Sequence, residues 1–383
     1  MEGGVGAFTQ ELARELAVLG HEVFIITSHK ARPETKKSER RDPNEPIDIG
    51  FAKLLPVTRR WTWRDANVVA DLAIRYGFDV VNIQYQAAAY NMRRPAINLL
   101  PWRLKGICKT VVTFHDLRVP YLLPKMAGVR RGVVNKMARD SDGVIVTNAA
   151  DHRTLTTTFP DLNIAQIPIG SNITVHSVSD ADKLKLRAKL GLDEGDYLLG
   201  YFGFLNESKG ADVLIDALAQ VRGLGRPVHL VFIGGQTGAS DPDNNQTFLQ
   251  TIHAQIEAYG LGDVVHWTGF VDDEEVSTCL RSSDLIVLPY KDGASLRRGT
   301  LMAALAHGCP IVTTSPSVVN SSIKHGENVW LVKSPLHFGA VIDQLLTDDV
   351  NRRRIGEGAA ALSQQFTWDK IAQKTDNLYK KLL

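Results

Sequence analysis

What most constrains this chain is a rhythm. Short apolar runs alternate with segments of helical period, and the alternation occurs in two series. The first series of runs is Glu22–Thr27, Asp79–Gln84, Thr110–Asp116, Gly143–Asn148 and Ile164–Gly170. Such runs suit strands buried on both faces, and the separators Phe8–Leu19 and Trp63–Tyr76 carry the spacing of helices. A strand–helix–strand order of this kind dictates a parallel sheet with helices on both faces. The polar stretch Ser171–Lys183 interrupts it. After one helix the runs resume as Asp196–Leu205, His229–Gly235, Val264–Phe270, Leu285–Tyr290 and Pro310–Thr314. A chain of 383 residues is also too long for one ordinary core. The expected fold is therefore α/β: two tandem doubly wound, Rossmann-like domains, residues 1–172 and 173–366. One irregularity stands at the start. A Gly-rich stretch, Gly3-Gly4-Val5-Gly6, opens a helix after only Met1 and Glu2. In a doubly wound domain a strand precedes such a loop. The first strand of domain 1 is expected to be missing, through a fragment or a misassigned start; the alternative is an exposed sheet edge.

Composition narrows the function classes. Hydrophobic residues make up 44% and charged residues 22%, as in soluble globular proteins. No apolar run reaches the length of about 18 residues that a spanning helix needs, and no secretory signal precedes the first helix. Cys108, Cys279 and Cys309 lie far apart, in no metal-ligand spacing, and read as reduced core thiols. A cytoplasmic protein is expected. Residues 1–170 hold 24 Lys/Arg against 17 Asp/Glu, and residues 171–383 hold 20 against 25. The basic residues of the first half cluster with apolar ones in Met92–Gly106 and Leu117–Arg139. No stacking motif or recognition-helix pattern accompanies them, so nucleic acid is not the expected partner. A peripheral contact with anionic lipid fits, as does a solvated helix face. Lys30–Pro46 and Gly235–Gln246 read as polar loops, and Asp241-Pro242-Asp243 as a turn rather than a metal site.

In open α/β sheets, ligands bind beyond the carboxyl ends of strands. Three such places stand out in the second domain. In the first, a strand ends at Gly203, and Lys209-Gly210 leads into a helix. Gly203 allows close backbone approach, and Lys209 sets a positive charge near a helix N-terminus, where phosphate is favoured. In the second, Gly293-Ala294-Ser295 leads to Arg297 and Arg298 in the first turns of a small-residue helix. Two arginines there oppose the helix dipole, a cost that a bound anion would offset. The plainer reading has one arginine in solvent or paired with Asp292. In the third, Thr268-Gly269-Phe270-Val271 ends a strand with backbone groups able to read a flat ring. A lysine and two arginines at neighbouring strand ends suggest a diphosphate.

The run of motifs Gly-Gly-Val-Gly, Thr-Phe-His-Asp, Ile-Pro-Ile-Gly, Gly-x5-Lys-Gly, Phe-Ile-Gly-Gly, Thr-Gly-Phe-Val, Ser-Asp-Leu-Ile-Val-Leu-Pro and Ala-His-Gly-x-Pro-Ile-Val-Thr covers nearly the whole chain. In that order it resembles the retaining family-4 glycosyltransferases of the GT-B fold. The closing segment Phe366–Leu383 looks like their C-terminal helix, which crosses back onto the first domain, here as residues 367–383. The resemblance implies a hexosyltransferase-type enzyme of polysaccharide biosynthesis. Its second domain would take a nucleotide-sugar donor, and its first a glycan or lipid-linked acceptor, with no metal and no cofactor. It implies that Gly4 and Gly6 form a loop facing the donor phosphates and that His115 faces the donor sugar; His115 and Asp116 are the expected catalytic residues, and the plainer reading of Asp116 is that it fixes the loop. It further implies that Lys209 binds the diphosphate and Val271 the base, and that Glu327 and Asn328 belong to a further loop of the donor side. Asp284 looks like a structural carboxylate.

The chain departs from the pattern at three positions. The family usually has an arginine one residue after the Gly of the first site, and Phe204 stands there. It usually has two glutamates eight apart in the second site, one for sugar hydroxyls and one for the ribose; Ser295 and Ala303 stand there. The expectation is that Arg297 or Arg298 replaces the missing arginine, that Ser295 and backbone N–H groups contact the sugar, and that Asp292 is the nearest carboxylate. Two other readings stand beside it: a non-catalytic scaffold, motivated by the missing glutamates and the missing first strand, and a nucleotide-sugar 2-epimerase on the same fold. The retained cations argue against the first, and the shortage of carboxylates near the sugar argues against the second.

Overall fold

A computed structural model describes residues 4–31, 45–90, 95–117, 127–235 and 242–383. Most of the polar loop read over 30–46, the turn read at Asp241 and parts of both basic segments lie outside these residues, as does anything ahead of Gly4. The question of an opening strand falls there too.

The chain divides into two compact units, Met1–Gly170 with Thr367–Leu383, and Ser171–Phe366. The first unit begins with helix α1 (Gly4–Val18), strands β1 (Phe24–Ser28), β2 (Ile47–Asp48) and β3 (Lys53–Thr58), and helix α2 (Trp63–Tyr76). It continues through β4 (Val80–Tyr85), α3 (Leu100–Leu104), β5 (Lys109–Phe114), α4 (Ala127–Asp140), β6 (Gly143–Val146), α5 (Ala149–Thr158) and β7 (Asn163–Gln166). Its strands form a sheet β1-β3-β2 and a parallel sheet β4-β5-β6-β7. The sequence pattern had not marked β3, whose run Lys-Leu-Leu-Pro-Val-Thr contains a proline. Pro56 removes a backbone donor, which is tolerated where the ladder can spare it.

The expected Gly-rich loop is not a loop in the described residues. Gly4 and Gly6 already lie in the first turn of α1. The reason is the apolar stripe that follows. Phe8, Leu12 and Leu16 are buried together with Val111 and Ile145 of the sheet, and this packing extends the helix through two poor helix formers.

The second unit runs α6 (Asp180–Lys189), β8 (Tyr197–Phe202), α7 (Ala211–Gly223), β9 (Val228–Ile233), α8 (Pro242–Ala258), β10 (Val265–Trp267), α9 (Asp273–Ser282) and β11 (Leu285–Leu288). It ends with α10 (Gly299–Ala306), β12 (Ile311–Thr314), β13 (Trp330–Val332), α11 (Phe338–Leu346) and α12 (Asp349–Ser363). Its six strands are all parallel, in the order β10-β9-β8-β11-β12-β13. The order reverses direction between β8 and β11, the switch point at which such sheets open a crevice. Leu199, Tyr201, Leu230 and Val287 lie in the core beneath it. Asp284 ties β8 to β11 by accepting from Leu198 N–H at 2.7 Å and pairing with Arg187 at 3.3 Å, a structural role.

The closing helix α13 (Trp368–Leu382) belongs to the first unit. It packs on α1 through Ile371, Ala372 and Leu378, and Asn82 of β4 donates to the Tyr379 hydroxyl at 2.7 Å. Asp376, almost fully buried, accepts from His21 and from Lys380, and these two partners hold its carboxyl below the usual range.

Candidate active site

The crevice at the β8/β11 switch point collects the cations read from the sequence. β8 ends at Phe202; Gly203 follows with φ +113°, and the chain turns through Glu207–Lys209 to Gly210 at the head of α7. A Cβ on Gly210 would lie 2.0 Å from the Pro289 carbonyl oxygen, so only glycine lets the β8 and β11 loops meet. This contact brings Lys209 beside the β11 loop. Its Nζ donates to the Phe204 carbonyl at 2.8 Å. Burial, with Arg298 nearby, pushes the Lys209 ammonium down to about 8.

Arg297 and Arg298 come just before α10 rather than in its first turns. The Gly293 turn (φ +87°) and the Ser295 bend, whose carbonyl accepts from Arg298 N–H at 3.0 Å, delay the helix until Gly299. The dipole cost expected for them is therefore smaller than the sequence suggests. Their side chains differ. Arg297 is exposed. Arg298 lies over the Tyr290 ring at 4.2 Å and pairs with Asp292, the plainer of the two arrangements the sequence allowed. Tyr290 is fully buried and shares a 2.6 Å hydrogen bond with Thr300. Beside it the Tyr201 hydroxyl is buried with no hydrogen-bond partner among the described residues, and burial pushes it well above its ordinary range.

From these cations a floor of bare backbone leads across the sheet. Gly203, Gly234 and Gly269 stand at the ends of three adjacent strands, with φ of +113°, +106° and +70°. A Cβ on Gly234 would be 3.9 Å from the Gly203 Cα. Gly234 N–H donates to Thr268 Oγ1 at 3.0 Å and bridges to Gly269. Val271, half-buried, is two residues beyond that bridge. Phe204 presents a half-exposed ring just beyond Gly203, and a Cβ on Gly235 would lie 2.9 Å from it. Asp292 and Ser295 are in the same loop as the arginines, but Asp292 is engaged by Arg298 and Ser295 Oγ accepts from Arg297 N–H at 3.3 Å. Ala303 is fully buried within α10.

Glu327 and Asn328 are not brought to the crevice. Trp330 pairs in register with Val312, so the residues just ahead of β13 lie at the amino edge of the sheet, opposite the strand ends. There Glu327 pairs with Lys324 at 3.0 Å, and buried Asn328 closes a turn by accepting from Lys324 N–H and donating to the Ser322 carbonyl.

His115 and Asp116 follow β5 in the first unit. His115 Nε2 lies 3.1 Å from Gln84 Oε1, and its ring meets the edge of Phe8 at 4.7 Å. Burial pushes His115 down to about 4, so it is neutral at neutral pH. A neutral ring that donates to an amide oxygen from Nε2 leaves Nδ1 as an acceptor. Asp116 accepts from Gln86 Nε2 at 3.3 Å. Phe8 also brings α1 to this site, with Gly4 one turn earlier on the same face. Sequence reasoning missed Gln84, Gly234 and the Tyr201–Tyr290 pair. Alternation along β4 places Asn82, Gln84 and Gln86 on one side, the available signal for Gln84. Among the described residues no group of three or more His, Cys, Asp or Glu is placed to hold a metal ion.

Two family models tile the chain. "Glycosyltransferase Family 4" matches residues 2–174, and "Glycosyl transferases group 1" matches residues 182–361. The chain is a glycosyltransferase of group 1 and family 4. The join between the two matches falls in the polar interruption where the two units part. A curated relative of this glycosyltransferase is a D-inositol 3-phosphate glycosyltransferase from Corynebacterium aurimucosum, 28% identical over 98% of this chain and 90% of that one. Among solved structures it shares its fold with sucrose-phosphate synthase from Thermosynechococcus elongatus (TM-score 0.73, 21% identity, 99% and 94% of the two chains). It also shares it with Anabaena HepE in complex with UDP (TM-score 0.67, 22% identity, 82% of each chain). The fold is GT-B, two parallel-sheet Rossmann-like domains. No helix among the described residues is long and apolar enough to cross a membrane.

Proposed function

We propose that this glycosyltransferase moves a hexose from a nucleoside-diphosphate sugar to a glycan or lipid-linked acceptor, with retention of anomeric configuration. One observation carries the reading: Lys209 is buried within electrostatic reach of Arg298 at the switch point, and the carboxylate that pairs there, Asp292, is on Arg298. A diphosphate answers that excess of positive charge, and α7 and α10 both begin at the crevice, where free N–H groups add to it. Arg298 stands in for the arginine replaced by Phe204, and Arg297 is close enough in the loop to assist. The glycine floor takes the nucleoside side of the donor, with the Val271 backbone at its far end. Ser295 and backbone N–H groups hold the sugar.

In the transfer, the bond from the anomeric carbon to the diphosphate oxygen breaks and its electron pair leaves with the diphosphate. The acceptor oxygen bonds to the same face, and its proton passes to an oxygen of the departing group. Lys209 and the arginines stabilise the charge that develops there, so no metal or other cofactor is required. The first unit is the acceptor side, where His115 Nδ1 accepts from a sugar hydroxyl and Asp116 holds the loop. The enzyme works in the cytoplasm, peripherally at the inner face of a membrane.

A thermal-shift titration with UDP, GDP, ADP and CDP tests the donor half. Ligand at about 100 times its dissociation constant adds roughly 2.7 kcal/mol of stability. A shift with one nucleotide that is lost in Lys209→Ala is the expected result and names the base. No shift with any of the four, from folded protein, would overturn the reading in favour of a scaffold. Product anomers resolved by NMR decide retention.

A further inference from the structure

The first unit carries an exposed aromatic feature that the transfer chemistry does not use. The run Thr58–Arg64 reads Thr-Arg-Arg-Trp-Thr-Trp-Arg, three arginines with no acid. Trp61 adopts φ +51° and is the one non-glycine residue in that region among those described. A bulky residue holds such a conformation only where its surroundings impose it. The imposing contacts are visible. The Trp61 ring packs edge-on against Tyr90 at 4.9 Å, and Asp65 anchors the turn from within α2, accepting from Arg59 N–H at 3.1 Å and Thr62 N–H at 2.6 Å. The reversal sends Trp61 inward and Trp63 outward.

Trp63 is 46% exposed and stacks on Trp102, 51% exposed, with ring centroids 6.3 Å apart and planes within 6°. Trp102 is on α3, whose Leu100 and Leu104 are buried in the core and fix the outward direction of the indole. Arg103 Nε donates to Asn67 Oδ1 at 2.9 Å and links the two helices beside the pair. Arg59, Arg60, Arg64 and Lys105 are exposed, and so is Asp71 two turns along α2, whereas the carboxylate of Asp65 in the same turn is buried and taken up by backbone N–H groups.

We propose that Trp63 and Trp102 are an interfacial anchor that seats the first unit in the headgroup layer of an anionic bilayer, with Arg59, Arg60 and Arg64 on the lipid phosphates. The proposal rests on the membrane half of the reading above and assigns it to residues. Indoles favour the headgroup layer, where the ring leaves water and the N–H keeps a partner. The unbalanced arginines select phosphate over a neutral sugar surface or a second copy of the same basic face.

The test is flotation with vesicles of phosphatidylcholine, alone or mixed with phosphatidylglycerol. Binding to the mixed vesicles, weak on phosphatidylcholine alone, is expected to fall about tenfold or more in Trp63→Ala/Trp102→Ala. Arg60→Glu/Arg64→Glu should cost at least about fivefold per arginine. Brominated lipid should quench the native protein's tryptophan emission and spare the Trp63→Phe/Trp102→Phe variant, and each variant's circular-dichroism melt checks its folding. Binding to anionic vesicles that survives both substitutions would keep the membrane reading and overturn the anchor. No binding to either vesicle would overturn both while leaving the nucleotide titration untouched. A dimer that the tryptophan variants dissolve, without vesicle binding, would reassign the patch to a second copy.

Discussion

The two units share one architecture and end their strands in opposite chemistry. Where β5 ends in the first unit, His115 is enclosed by Gln84 and Phe8 and is held neutral by burial. Where β8 and β11 end in the second, Lys209 and Arg298 gather charge above a floor with no side chains. A parallel sheet offers the same edge in both cases. What differs is how each edge is filled: amides, a neutral histidine and the carboxylate of Asp116 in one, glycines and cations in the other. An edge stripped to backbone admits a flat, charged ligand, and an edge filled with amides holds a hydroxyl in one orientation.

The largest contrast is in the glycines. Gly210→Ala forces a Cβ to within 2.0 Å of the Pro289 carbonyl oxygen at a left-handed φ of +72°. It should cost about 3–5 kcal/mol, read as a lower melting temperature together with lost nucleotide binding. A Cβ on Gly4 meets nothing within 4 Å among the described residues. Gly4→Ala should therefore leave the melt unchanged or raise it by up to about 1 kcal/mol. Equal effects from the two substitutions would break the distinction between a built glycine and a tolerated one.

Acid titration separates the histidine from the cations. His115 is pushed down to about 4 from an ordinary 6.5, so the unfolded chain takes its proton first. Its contribution is complete above pH 6.5 and is lost as pH falls toward 4, on the order of 3 kcal/mol in all. Denaturant melts from pH 7 to 4 should show that loss, and His115→Gln should flatten it. A loss of the same size in the variant would mean that other groups govern acid stability.

Much of this was legible beforehand, for a physical reason. Buried parallel strands must be apolar, so β4, β5, β8, β9 and β11 announce themselves as runs. β3 and β13 did not: one carries a proline, and the other is only Trp330–Val332 at the sheet edge. That Lys209 and Arg298 lie near each other was legible from their places after neighbouring strands; that Arg298 would pair with Asp292 and lie over Tyr290 was not, because the sequence left it open which arginine, if either, would pair. The start of α10 was not, because Ser295 and Gly293 act through backbone turns that no periodicity reports. Glu327 and Asn328 were misplaced by reading a motif without the register of β13, which puts them at the opposite edge.

Nucleotide binding sharpens the contrast further. Lys209→Ala should weaken the preferred nucleoside diphosphate by about 10- to 100-fold, as expected for a lost charge-assisted hydrogen bond, while His115→Ala leaves that affinity within about twofold. Calorimetry on both variants checks this, and a His115 effect as large as that of Lys209 would erase the division of roles. The sign of the pH dependence also follows. Lys209 loses its proton near pH 8 in the free protein, and a bound diphosphate favours the charged form. Affinity should be flat below pH 8 and fall by up to about tenfold per unit above it. Lys209→Arg should remove that fall, since its guanidinium keeps its charge across the range.

The smallest expected effect bears most directly on how this chain departs from its family. Arg298 is placed over Tyr290 and paired with Asp292, and Phe204 occupies the position where the resemblance leads one to expect an arginine. If Arg298 has taken over the missing role, Arg298→Ala should weaken nucleotide binding about fivefold to tenfold. That loss is less than the one at Lys209, because Asp292 already neutralises part of the Arg298 charge in the native protein. Phe204→Arg introduced into that variant should recover most of it, since the new guanidinium leaves the same strand end one residue after Gly203. The same substitution in the native chain should gain little, because it adds a third cation to a site already supplied. Recovery in the variant and none in the native chain is the signature of one role held by two alternative residues. Additive gains in both would mean that Arg298 serves Tyr290 and Asp292 alone.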